Sequence, residues 1–147
     1  MARRLVLDLK VRGLQSAAEP LVAATHAFAL ARGLHGGVVT WVPGRRRDIR
    51  RRGFDHAEVL ARGLARRLGL PAWPYLMRRA ETPDQTSLGA ADRRRSAAQA
   101  FSARRCAGAV VVVDDLVTTG ATASACAAAL RSAGARRIEL VAACRAP

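Results

Sequence analysis

Apolar residues recur along this chain with two different periods. Over residues 15–31, Leu21, Ala24, Phe28 and Ala31 fall three or four positions apart, which is the spacing of one helix face. Pro20 is tolerable near the first turn of such a helix, and Gly33 can close it. The same spacing returns over residues 55–68, where Ala57, Leu60, Ala61, Leu64 and Leu68 share a face, with Asp55 placed to cap the start and Gly69 to end the helix. A third helix is expected over residues 119–133, rich in alanine and therefore able to approach a sheet closely, and ended by Gly134. Between these segments the helical period is lost: residues 38–42 form a β-rich run stopped by Pro43, residues 109–113 are five consecutive apolar residues, four of them valine, and residues 138–144 return as another strand. An unbroken apolar run suits a parallel strand covered on both faces. Strand, loop, helix and strand alternate, so the predicted fold class is α/β, a central mainly parallel sheet flanked by helices. A chain of 147 residues buries about 70% of the surface it exposes when unfolded, enough for one domain over residues 1–147.

Two polar passages interrupt this order. Residues 44–53 hold Arg45, Arg46, Arg47, Arg50, Arg51 and Arg52 and read as a basic loop leading into the second helix. Residues 78–102 have few large apolar side chains and no clean period, and read as a long loop or a hairpin arm of the kind that is often functional.

The chemistry concentrates where the valine strand stops. Asp114 and Asp115 follow it directly, and Thr118, Thr119, Gly120, Ala121 and Thr122 form a turn into the next helix. In open α/β sheets that carboxyl edge is where ligands bind. Glycine allows a tight turn, and backbone N–H groups with threonine hydroxyls at a helix N-terminus make a seat for a phosphate. Two carboxylates beside such a seat would repel the ligand unless they engage hydroxyls or a metal ion. A ribose 5-phosphate satisfies both halves, with phosphate in the turn and the 2- and 3-hydroxyls on the acids. A merely capped helix would account for one polar residue, not for two acids and three threonines around a glycine.

Other chemistries are excluded by what the chain lacks. It has neither the Gly-x-x-x-x-Gly-Lys-Ser/Thr of a nucleotide P-loop nor the Gly-x-Gly-x-x-Gly of a dinucleotide fold. Cys106, Cys126 and Cys144 are widely spaced and odd in number, so they read as small buried hydrophobes. His26, His35 and His56 lack metal-ligand spacing, and no zinc is expected. No stretch reaches the roughly 20 apolar residues of a membrane span, and a soluble, cytoplasmic protein is expected. The 25 Lys+Arg against 11 Asp+Glu give a net charge of +14, which makes polyphosphate or nucleic acid partners plausible.

The segment 110–122, Val-Val-Val-Val-Asp-Asp-Leu-Val-Thr-Thr-Gly-Ala-Thr, resembles the phosphoribosyl-diphosphate (PRPP) motif of type I phosphoribosyltransferases. Leu9-Lys10-Val11-Arg12-Gly13, Val42-Pro43 with Arg50-Arg51-Arg52-Gly53-Phe54, Thr82-Pro83-Asp84-Gln85 with Arg93-Arg94-Arg95, and Phe101 resemble, in order, the ComF/GntX branch associated with competence and natural transformation. The resemblance implies that Asp114 and Asp115 hold the ribose hydroxyls and that residues 118–122 hold the 5-phosphate. It further implies that Arg45, Arg52 and Gly53 are candidates for the diphosphate, and that Gln85 and Arg93 belong to a flexible loop closing over the ligand. Magnesium is expected with PRPP. The chain departs from the branch at Asp55-His56, where Asn-Gln is usual, and at Ser96, where Asn is usual. The branch also commonly opens with a four-cysteine zinc module, whereas this chain starts almost at the phosphoribosyltransferase-like part. Thr118 stands where 6-oxopurine enzymes carry an aspartate, leaving the general base unassigned, with His56 the candidate by residue type alone. The alternative is a ComF-type DNA-processing protein that keeps the PRPP fold and binds single-stranded DNA with little turnover. With few aromatic residues for stacking, such binding would be mainly electrostatic.

Overall fold

A computed structural model describes residues 17–34, 36–79 and 100–145. Its centre is the ten-residue strand β4 (Gly108–Val117). On one side β4 pairs in parallel with β1 (Val38–Trp41), in the register Val38↔Val110 to Trp41↔Val113. On the other it pairs in parallel with β5 (Ala135–Arg145), with Val110 opposite Ile138 and Asp114 opposite Ala142. Past the β1 edge the sheet gains one more rung, because Val39 N donates to Pro71 O at 2.8 Å and Trp73 N donates to Val39 O at 2.9 Å.

The valine run is contiguous because both faces of β4 are covered. Successive strand side chains point to opposite faces, so Val111 and Val113 join one core and Val110 and Val112 another. The first core lies under α1 (Ala18–Ala31) and α3 (His56–Leu68), which bring Leu21, Val22, Leu60 and Leu64 to it. The second lies under α4 (Ala121–Ser132), which supplies Ala125, Cys126 and Leu130. Helices α1 and α3 meet closely at Gly63, where a Cβ would stand 2.6 Å from a Val22 methyl. That approach needs the hydrogen side chain.

The helices expected at 15–31, 55–68 and 119–133 and the strands expected at 38–42, 109–113 and 138–144 are therefore present, with shifted ends. Four readings are corrected. The basic passage 44–53 is not all loop, since Arg46–Arg52 forms the short helix α2, opened in extended backbone at Arg45 and closed by Gly53. The central strand does not stop before the acids but runs through both of them. Strand β5 is mostly half-exposed rather than buried, because it is the edge of the β1-β4-β5 order and only Ala135 and Val141 are fully covered. Cys106 and Cys126 are buried as expected, but Cys144, on that edge strand, is only half-buried.

The ends of the 78–102 passage are ordered: β2 (Leu76–Arg78) pairs antiparallel with β3 (Phe101–Ala103). Its interior, with Gln85 and Arg93, lies outside the described residues, as do Leu9 to Gly13. Among the described residues no helix is long and apolar enough to cross a membrane.

Candidate functional site

The site forms where β1 and β4 deliver the chain to the carboxyl edge of the sheet. After β1 the chain passes Pro43 and Gly44 into α2, and this connection is tied down by one carboxylate. Asp55 accepts from Gly44 N at 2.9 Å through Oδ2 and from Ala57 N at 3.1 Å through Oδ1. It is thus the expected N-cap of α3 and, in addition, the anchor of the loop that carries Arg45. Arg52, the last residue of α2, reaches forward so that its Nη2 lies 3.3 Å from His56 Nδ1 in the first turn of α3.

The two acids of β4 diverge. Asp115 meets the α3 side, its Oδ2 3.1 Å from His56 Nε2, with both side chains under a tenth exposed. Asp114 accepts from Asp115 N at 2.8 Å and lies on the α4 side, close enough to influence Cys126. The Cys126 thiol is pushed up to about 12, chiefly by burial and further by the Asp114 charge, with Arg78 acting in the opposite direction. One acid therefore addresses each half of the fold.

Between them opens a cavity of about 200 Å³. Asp114 and Asp115 line it, together with Arg45, Arg52, His56 and Thr122. Arg78 lines it as well, held by its Nε donating to Pro43 O at 3.1 Å and by its guanidinium 4.6 Å over the Phe101 ring. Asp48 completes the charged set, so three arginines face three aspartates in a chain whose net charge is +14. The balance is local and unlike the rest of the molecule. A neighbouring cleft of about 20 Å³ is lined by Asp114, Thr118, Gly120 and Thr122. A larger cavity, about 320 Å³, lies elsewhere between Phe101 and α4, but alanine and serine dominate its wall and no acid among the described residues lines it.

The turn between β4 and α4 leads into a helix whose first turn holds no acid. Gly120 sits at the N-cap with φ 79°, a left-handed conformation that side-chain-bearing residues rarely adopt. Thr119 Oγ1 accepts from Ala121 N at 3.4 Å. Helices α1, α2 and α3 each carry an acidic residue in the first turn, Glu19, Asp48 and Glu58, whereas α4 carries none. An N-terminus with no acid in its own first turn retains more of its attraction for an anion.

Of the residues singled out from sequence, Arg45, Arg52, Asp114, Asp115 and Thr122 come together around one cavity, and Thr118 and Gly120 border the adjoining cleft. Thr119 and Ala121 lie in the same turn, exposed. Gly53 does not line the cavity, and its place is the left-handed C-cap of α2. Sequence reasoning missed Arg78, which looked like the start of a loop. It named His56 only as a base candidate by residue type and gave it no structural place, whereas His56 is buried behind the Asp55 cap. The Asp55-His56 departure from the branch pattern was the available signal.

The site thus stands at the end of a three-stranded parallel sheet with helices on both faces, where two acids meet a threonine-glycine turn. No family model and no curated protein sequence matches the chain. Chains of solved structures do match it in fold, and two of them each cover most of it. One is glutamine phosphoribosylpyrophosphate (PRPP) amidotransferase from B. subtilis complexed with ADP and GMP, with a TM-score of 0.62 and 24% identity. The other is described as the allosteric regulatory enzyme of purine biosynthesis, with a TM-score of 0.56 and 21% identity. Each match covers 86% of this chain and 26% of the other, so the chain spans about a quarter of the length of those enzymes. At these identities the likeness establishes a phosphoribosyltransferase-like fold.

Proposed function

We propose that the cavity at the carboxyl edge of β4 binds PRPP and that the chain is a phosphoribosyltransferase-like protein, transferring a 5-phosphoribosyl group between diphosphate and a nitrogenous base. The carrying observation is the convergence of Asp114, Asp115, Arg45, Arg52 and Thr122 on one cavity beside the Thr118–Gly120–Thr122 cleft. The turn seats the 5-phosphate, the two acids accept the ribose hydroxyls, and Arg45 and Arg52 face the diphosphate. Arg78 joins them from the opposite wall. As the bond from C1 to diphosphate breaks and the bond from C1 to the base nitrogen forms, positive charge grows on the sugar beside the carboxylates, and negative charge grows on the leaving group beside the arginines. Such a site works by placement and electrostatics and needs no covalent nucleophile.

Magnesium fits this donor set in one way. Among the described residues no group of three or more His, Cys, Asp or Glu is arranged to hold a metal ion. Magnesium is commonly held by one or two carboxylates together with substrate phosphates and water. Asp114 and Asp115 meet that lighter requirement for an ion arriving with the ligand. When bound, the ion would neutralise charge on the departing diphosphate.

The alternative, a ComF-type protein binding single-stranded DNA, draws on the exposed Arg46, Arg47, Arg50 and Arg51 of α2. It has no support among the structural matches. The equal count of arginines and aspartates in the cavity also favours a ligand offering both phosphates and hydroxyls over a bare polyanion. Residues 1–147 as one domain, a cytoplasmic location and membership of the ComF/GntX branch belong to the same proposal and rest on the sequence reading.

Calorimetric titration with PRPP tests it. Binding is expected to require magnesium and to be lost when Asp114→Asn and Asp115→Asn are combined. A double variant that binds as well as the parent overturns the site assignment, and salt-sensitive binding of single-stranded DNA without PRPP binding favours the alternative.

A further inference from the structure

We infer that His56 is a positioning residue that fixes the Asp115 carboxylate for recognition of a ribose hydroxyl, and is not the general base. The inference rests on the ribose-phosphate reading above. His56 is 6% exposed, and both of its ring nitrogens have neighbours of known character. Arg52 Nη2, 3.3 Å from Nδ1, can only donate. Nδ1 must therefore accept, which places the ring proton on Nε2. There it faces Asp115 Oδ2 at 3.1 Å, an acceptor when ionised. The row runs from the Arg52 donor through His56 to Asp115 Oδ2, a close Nε2–Oδ2 contact at a buried oxygen that falls short of full hydrogen-bond geometry.

Two consequences follow from that order. A general base must offer its lone pair to the substrate, but the lone pair of His56 is turned onto Arg52. The row also joins parts of the site that have separate duties. Arg52 ends α2, His56 opens α3, and Asp115 is on β4, so three elements fix the direction of one carboxylate that lines the cavity. A carboxylate held this way presents its accepting directions at fixed angles, which is what hydroxyl recognition requires.

The chain uses histidine here with a second purpose visible in its length. The three-residue link Gly53, Phe54 and Asp55, turned by the left-handed Gly53, brings the end of α2 back against the start of α3. Across that short gap a flat ring with one accepting and one donating nitrogen spans from guanidinium to carboxylate. A glutamine can supply an acceptor and a donor from one amide. A leucine of similar volume supplies neither.

The experiment uses the whole chain and two probes, ribose 5-phosphate and 2-deoxyribose 5-phosphate, titrated by calorimetry into the parent, His56→Gln and His56→Leu. The parent is expected to prefer the ribose form. His56→Leu is expected to lose that preference by roughly 10-fold or more, the effect of removing a polar contact from a buried charged group. His56→Gln is expected to keep most of it. If the parent binds but His56→Leu discriminates equally well, the positioning role is overturned while the ribose-phosphate reading stands. If the parent binds neither probe, or both alike, that reading falls and takes the inference with it. A nitrogen-resolved imidazole spectrum of the parent decides the row even where His56→Leu does not fold: protonation on Nε2 alone supports it, and protonation on Nδ1 overturns it.

Discussion

Asp55 carries two hydrogen bonds with separable duties, and its removal should reveal both. Through Oδ1 it caps α3, a contribution of about 0.5–2 kcal/mol. Through Oδ2 it holds Gly44 N at 2.9 Å, a bond to a charged acceptor worth about 1.5–3 kcal/mol. Asp55 is 7% exposed, so water does not readily replace either partner. Asp55→Ala should therefore lower the unfolding free energy by about 2–5 kcal/mol, read from urea denaturation at unchanged slope. Asp55→Ser separates the two duties. Its hydroxyl can cap α3 but is too short to bridge to Gly44, so it should recover about 1 kcal/mol of stability. It should not recover the affinity for diphosphate, because Arg45 follows Gly44 directly and loses its anchored backbone. The reasoning is refuted if Asp55→Ala costs less than about 1 kcal/mol, or if Asp55→Ser matches the parent in diphosphate titration as well as in stability.

Two further expectations concern the cores. Folding holds the Cys126 thiol protonated until about pH 12, whereas unfolded cysteine loses its proton near its ordinary value of 9.0, so the unfolded state binds fewer protons in between. The stability tied to this thiol is then fully present below about pH 9 and falls as pH rises, by up to about 1.4 kcal/mol per unit. Cys126→Ala should flatten that decline in alkaline denaturation series, and parallel curves would refute the assignment. Gly63→Ala should destabilise the α1–α3 contact: its Cβ would meet the Val22 methyls at 2.6 and 3.1 Å, and the overpacking, about 1–3 kcal/mol, offsets or exceeds the roughly 1 kcal/mol of helix propensity gained. Adding Val22→Ala should relieve the clash in a double-mutant cycle, and a Gly63→Ala variant that melts higher than the parent would count against it.

Helix α3 and the sheet could be read from the sequence because their burial imposes a pattern, whereas in α1 the expected face was mistaken: Ala24, Phe28 and Ala31 are exposed, and Ala18, Leu21, Val22, Thr25 and Ala29 are buried. Leu60, Ala61 and Leu64 on α3 face a single core, and the contiguous valines of β4 face two. Helix α2 left no such trace. Its seven residues bury nothing, and six are charged, so no apolar stripe existed to be counted. The end of β4 was misjudged because aspartate is a poor strand former, yet pairing with β5 continues past it to Val117. The threonine-glycine turn and the acids were legible from residue chemistry alone. Arg78 and His56 were not, since each owes its place to a partner distant in sequence: Pro43 and Phe101 for one, Asp115 for the other.

The two-residue alternation of β4 has a thermodynamic consequence. The strand is the common wall of both cores, and Asp114 and Asp115 continue the alternation of Val112 and Val113, one acid beside α4 and the other beside α3. A ligand held by both acids would bridge two packing units that meet across the sheet, whose edge strand β5 also serves both, Val141 in one core and Ala135 in the other. Its binding free energy is added to the stability of each half at once, because neither can open without releasing the ligand. Amide exchange should register this as a merging of two opening free energies into one, with protection rising together in α3 and α4. The loss of either acid would leave the halves to open independently.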